Sequence, residues 1–284
     1  MRTYRSGEED SSRWAGFPFR AGDIVISTRS KSGTTWMQMI CALLVHRTPD
    51  LPAPLIVLSP WLDHLVRPRD EVVAALQAQP HRRIIKTHTP LDGLPLDRRV
   101  TFIVVARHPL DMAVSMYAQG ENIDRDRLSE LTGSSPVRRE RPPLGEWLLD
   151  WVTHGSGHPD SLPGVLAHLT DAWRRRHDPN VVLVHYEDLS ADLAGRMTAL
   201  AARLRLEPPT PDLVAAATFD RMRTRATELA PDTLGVLKSP EAFFRGGRSG
   251  QGRDVLGAAG SAVYERRVRE LAPPGLLAWL HRTP

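Results

Sequence analysis

The chain has 284 residues, 41% hydrophobic and 25% charged, ordinary proportions for a globular protein with a full core. A net charge of +4 is too small to argue for nucleic acid, but it suits small anionic ligands or an acidic membrane face. No apolar run approaches the ~18 residues a membrane span needs, and residues 1–10 lack the apolar core of a secretory signal, so the expected location is cytoplasmic. The single cysteine, Cys41, cannot form an intramolecular disulfide and reads as a small core residue rather than a nucleophile. Only three of the 37 basic residues are lysines: Lys31, Lys86 and Lys238. Arginine serves wherever generic positive charge is enough, so a retained lysine marks a need for a compact ammonium that can shift its proton.

Residues 1–22 are polar and mixed, a surface lead-in anchored by Trp14, Phe17 and Phe19. Ile24-Val25-Ile26 then feeds the polar turn Ser27 to Gly33. The segment leaving the turn carries Trp36, Ile40, Leu43 and Leu44 on one helical face. Strand, polar turn and helix N-terminus together offer N–H groups, hydroxyls and Lys31 to an anion, as a phosphate requires. Asp70-Glu71 begins a capped helix that Pro80 ends. Residues 83–88 form a short buried-type strand finishing on Lys86, Thr87 and His88. Residues 100–106 form the strongest strand, followed by Arg107-His108-Pro109 and a helix with Leu110, Val114 and Tyr117 in step.

Residues 121–143 are charged and weakly periodic, an excursion rather than core, and the substrate-side stretch extends to residue 160. Residues 147–152 and 162–173 read as helices. A fourth apolar strand, 180–185, ends at Tyr186-Glu187-Asp188. Late in the chain, Phe243-Phe244-Arg245-Gly246-Gly247-Arg248-Ser249-Gly250 lies in a lid-like stretch, 238–255, whose glycines let backbone approach an anion and whose arginines can fork onto it. Strands alternating with helices predict one α/β domain over 1–284, a central parallel sheet flanked by helices, with its crevice beyond the strands' carboxyl ends.

The turn is not a Walker A loop, because Lys31 precedes Gly33 and no glycine stands five positions before it. The eleven histidines show no metal-ligand spacing, so no metal site is expected. Lys-Ser-Gly-Thr-Thr-Trp at 31–36 instead resembles the phosphosulfate loop of the PAPS-dependent sulfotransferases (PAPS is 3′-phosphoadenosine 5′-phosphosulfate). Arg107 with Ser115, Lys86-Thr87-His88 with Pro90, Tyr186-Glu187-Asp188, and Arg245 with Gly247 are similar to four further motifs of that family, in the same order. The wider sequence, including Ser59 to Asp63 and His88 to Gly93, looks most like glycolipid sulfotransferase-type proteins of actinobacteria.

The resemblance implies a P-loop-like sulfotransferase fold, PAPS as donor with no metal required, and the following roles. Lys31, Ser32, Gly33, Thr34 and Thr35 would hold the 5′-phosphosulfate, with Trp36 against the adenine. Tyr186, Phe219 and Met222 would frame that base. Arg107 and Ser115 would take the 3′-phosphate, joined by Phe244, Arg245, Gly246 and Gly247 of the lid. His88 would be the general base, and Lys31 and Lys86 would balance charge on the sulfuryl group and leaving oxygen. Trp61 would line the acceptor pocket or serve as core. Three departures stand out: Arg29-Ser30 where the family has Tyr-Pro, Gln251-Gly252-Arg253 for an acidic–Trp–Lys run, and Ala217 for a threonine. The acceptor would be a small-molecule or lipid hydroxyl, with peripheral membrane contact, no nucleic acid, and an open oligomeric state. A nucleotide kinase or NTPase and a non-catalytic nucleotide binder remain the rival readings.

Overall fold

The computed structural model describes residues 1–132, 141–155, 157–232, 234–246 and 249–282. Four strands, β1 (Ile24–Ser27), β2 (Ile84–Thr87), β3 (Thr101–Ala106) and β4 (Val181–His185), form one sheet in the order β2-β1-β3-β4. Every pairing is parallel, with Ser27 opposite Thr87, Ile26 opposite Ile103 and Ala106 opposite His185. The chain steps from β1 to β2 on one side, then crosses to β3 on the other. That reversal opens a crevice at the carboxyl ends of β1 and β3.

Alternation along the strands explains the layers. Val25, Ile85, Phe102 and Val104 face one core, with Trp14, Leu110, Leu148, Leu166 and Tyr264. Ile24, Ile26, Ile84, Ile103 and Val105 face the other, with Met37, Ile40, Leu43, Met197 and Leu200. A parallel sheet covered on both sides needs strands apolar throughout, which is why these segments read as continuous hydrophobic runs. Cys41 lies buried in the second core, where burial pushes its thiol up to about 12.

Three local readings change. The lead-in is more than surface: Trp14 is fully buried and its Nε1 donates to Asp63 Oδ2 at 3.1 Å. Helix Arg69–Ala78 has Pro68 at its N-cap without a side-chain cap bond, so Asp70 and Glu71 act from its first turn, where negative charge meets the positive end of the dipole. Within 121–160, helix Leu144–Thr153 buries Leu148, Trp151 and Val152 in the core, while Ile123 reaches the crevice.

Candidate active site

β1 ends in a turn whose backbone is unusual at two points. Lys31 is left-handed at φ 60° and Gly33 at φ 101°. Gly33 is also the N-cap of helix Thr34–His46, which has no side-chain cap, leaving the positive end of its dipole open to an anion. Inside the turn the Thr28 and Thr34 hydroxyls bond to each other, and Ser32 N donates to Arg29 O at 3.3 Å.

The Arg29-Ser30 departure has a structural explanation. Arg29 is buried, and its Nε and Nη2 donate to Asp160 Oδ1 at 3.0 and 2.8 Å. Ser30 Oγ donates to Asp160 Oδ2 at 2.7 Å. Arg29 Nη1 donates to the His88 carbonyl, tying the end of β2 to the turn. Asp63 holds the same stretch from the other side, accepting from the Thr87 and Thr89 hydroxyls that flank His88.

The carboxyl ends of the sheet open on a cavity of about 320 Å³. Lys31, Gly33, Thr34, Thr35 and Trp36 of the turn line it, with Lys86 and His88 from the end of β2. Arg107 follows β3 and Ser115 lies on the helix after it, Tyr186 opens the helix Tyr186–Ala191 that follows β4, and Phe219 and Met222 come from the helix Phe219–Thr224. Trp61, Phe244, Arg245 and Gly246 complete the predicted set in the wall. Ser32 is buried in the turn and does not reach the wall. Gly247 lies outside the described residues.

Two aromatic clusters divide the cavity. At one end the Trp36 and Tyr186 rings meet edge-on at 5.2 Å, and the Arg107 guanidinium lies over Tyr186 at 4.4 Å. Trp36 Nε1 donates to the Ala217 carbonyl at 2.8 Å, so this backbone oxygen fixes the indole. At the other end Trp61 meets His88 edge-on at 4.6 Å and carries Lys86 Nζ over its face at 3.8 Å. Lys31 stands between, its Nζ 3.8 Å over Phe243 and 3.4 Å from Gln119 Oε1.

The electrostatics of this crowd are informative. Burial, then repulsion from Arg107, Lys86 and Arg245, lowers Lys31 to about 7. Burial lowers Lys86 to about 8, against attraction from Glu9, Asp63 and Glu8. His88 is pushed well below its ordinary value by burial and by Lys86 and Arg29. Its Nδ1 bonds the Thr28 carbonyl, which can only accept, so Nδ1 carries the hydrogen and Nε2 keeps its lone pair. A neutral imidazole with a free acceptor nitrogen is a base ready to take a proton.

The described residues near each end of the stretch 238–255 are tied to helix Pro109–Asn122. Asn122 Nδ2 donates to Ser239 O at 2.8 Å and its Oδ1 accepts from Ser239 N at 3.0 Å. Buried Asp111 accepts from Gly250 N at 2.8 Å and from Gly252 N at 3.0 Å. A β-carbon on Gly252 would collide with Leu110, so glycine there lets the chain cross helix Pro109–Asn122 closely. Arg245 Nη2 reaches Gln251 Oε1 at 2.8 Å.

Glu8, Gln119, Asp111 and Asp160 escaped the sequence reading. Gln119 left a trace, since it follows Ser115 by one helical turn. Asp111 and Asp160 act across long separations on backbone or on arginine, and nothing periodic announces that.

Comparison with known proteins agrees with this geometry. Residues 21–272 match the model of the family described as sulfotransferase domain. Glycolipid sulfotransferases of Mycobacterium bovis and Mycobacterium tuberculosis are each 45% identical, over 98% of this chain and 93% of theirs. Sulfotransferase 1A1 of Canis lupus familiaris is 27% identical over 88% of this chain and 83% of its own. Among solved structures, retinol dehydratase in complex with retinol and PAP superposes with a TM-score of 0.71 at 20% identity, covering 96% of this chain and 86% of that one. A mouse sulfotransferase complexed with PAP gives 0.69 at 18%, covering 98% and 99%. These last two likenesses speak to the fold. The chain, with its parallel sheet, its turn at 27–33 and its cationic crevice, belongs to the sulfotransferase-domain family.

Proposed function

We propose that this enzyme moves the sulfuryl group of PAPS onto a hydroxyl of a glycolipid or a similar hydroxylated acceptor. The observation that carries the reading is the meeting, in one cavity, of two depressed lysines and a histidine held neutral. The wall fits a polyanion: Lys31, Lys86, Arg107 and Arg245 face it, and Glu8 is its one carboxylate among the described residues. The close approach of Gly33 to Tyr186 shapes the turn that would receive the 5′-phosphosulfate.

In this reading His88 Nε2 takes the acceptor proton as the acceptor oxygen forms its bond to sulfur. The bond from sulfur to the bridging oxygen of the 5′-phosphate breaks, and PAP leaves with that electron pair. Lys31 balances charge on the departing oxygen, and Lys86 on the sulfuryl oxygens. Such a transfer asks mainly for in-line placement and countercharge, with the base contributing ~10²–10⁴ in rate. Arg107 and Ser115 receive the 3′-phosphate, and Trp36, Tyr186, Phe219 and Met222 enclose the adenine. The acceptor reading leans on the 45% identical relatives, and the enzyme would meet its lipid at the cytoplasmic face of a membrane. Among the described residues no helix is long and apolar enough to cross a bilayer.

The test is to incubate the purified protein with PAPS and a panel of glycolipids and phenols, detecting added sulfate by mass. A sulfated product is expected. PAP binding without product from any acceptor would leave a passive nucleotide binder, and no PAP binding would defeat the reading altogether.

A further inference from the structure

Glu8 is unusual in the wall, because a carboxylate beside a sulfuryl donor repels the very group the cavity gathers. Its position answers that difficulty. Glu8 O accepts from Leu65 N at 2.8 Å, and neighbouring Glu9 forms an isolated bridge with His64. The His64 ring stacks on Trp61 at 4.1 Å, and Trp61 in turn touches Lys86 and His88. Glu8 therefore belongs to the end of the cavity that holds the base, away from the Trp36–Tyr186–Arg107 end. It is exposed, and its negative charge acts on Lys86.

A carboxylate in that place has two consequences for whatever hydroxyl compound approaches His88. It accepts hydrogen bonds and donates none, so it favours an acceptor with further hydroxyls beside the reacting one. It also repels an acceptor bearing its own negative charge, a built-in discrimination against the wrong partner. Resting on the sulfotransferase reading above, we propose that Glu8 selects the acceptor, admitting uncharged polyhydroxylated headgroups of the sugar type and turning away anionic ones.

An alkyl glucoside and the matching alkyl glucuronide differ at one carbon by a carboxylate and make the direct test. The wild-type enzyme should sulfate the glucoside with a kcat/KM at least ~10-fold above the glucuronide. Glu8→Gln should narrow that ratio by ~10-fold, as loss of a charged partner's contribution implies, and Glu8→Lys should invert the preference. The PAP dissociation constant, measured by calorimetry on each variant, verifies that the nucleotide end is intact. An unchanged glucoside-to-glucuronide ratio in both variants overturns the assignment while leaving the sulfotransferase reading in place. Failure of the wild type to sulfate the glucoside, the glucuronide or a simple phenol overturns both.

Discussion

The Tyr186 ring occupies the space that a side chain on Gly33 would need: a β-carbon there would stand 2.9 Å from Tyr186 Cδ2. Gly33 is also held at φ 101°, a conformation other residues rarely adopt. The same ring carries the Arg107 guanidinium at 4.4 Å and meets Trp36 edge-on at 5.2 Å. The turn at 27–33, the Trp36–Tyr186 pair and Arg107, which we propose hold the nucleotide, are thus packed as one unit.

Gly33→Ala should therefore damage binding more than a surface change would. We expect a stability loss of about 1–3 kcal/mol from strained backbone and a displaced ring, and a PAP affinity at least ~10-fold weaker. Thermal unfolding and calorimetry check both. A Gly33→Ala protein that binds PAP like the wild type would show that the turn can relax without moving Tyr186.

Lys31 should couple nucleotide binding to protons. In the free enzyme burial and three cationic neighbours lower it to about 7, so it is largely uncharged at pH 8. A bound polyanion favours the ammonium and raises that value. PAP binding near pH 8 should then take up protons, and affinity should fall as pH climbs above about 7. Calorimetry in buffers of differing ionisation enthalpy reads the uptake, and Lys31→Met should abolish most of it. Proton release on binding would contradict the assignment.

Asp111 should act as the latch of the lid. Its two oxygens take the Gly250 and Gly252 N–H groups, and Asp111→Ala leaves both without that partner. A net ~1.5–3 kcal/mol, typical of hydrogen bonds to a charged group, predicts a PAP dissociation rate roughly 10- to 100-fold faster. Stopped-flow displacement measures it. Faster amide exchange over residues 249–255 should accompany the change, and normal exchange with normal PAP release would remove the latch.

The strands were legible because a parallel sheet buried on both faces leaves an unbroken apolar run, as at residues 101–106. The cavity wall was legible where residues sit at, or within a turn beyond, the carboxyl end of a strand, as Lys31, Lys86, His88, Arg107 and Tyr186 do. What stayed hidden joins distant segments. Asp160 grips Arg29 and Ser30 from 131 and 130 residues away, tying a buried arginine and a serine of the cavity wall to one carboxylate. Gly252 passes so close to Leu110 that a β-carbon there would collide with it, a contact with no local signature. The two lysines flagged by scarcity did end in the cavity, whereas Lys238 donates to the Glu121 carbonyl at 3.0 Å as an ordinary surface residue.

Most depends on His88 as the base of sulfuryl transfer. The deciding measurement is single-turnover sulfate transfer from PAPS in EDTA, comparing wild type with His88→Ala after PAP binding by both has been verified. The wild type should turn over with its acid limb below the ordinary histidine range, because burial and the charges of Lys86 and Arg29 hold the imidazole neutral. The variant should bind PAP within a few-fold of wild type and transfer ~10²–10⁴ more slowly. Equal transfer rates in the two proteins would contradict the account at its centre.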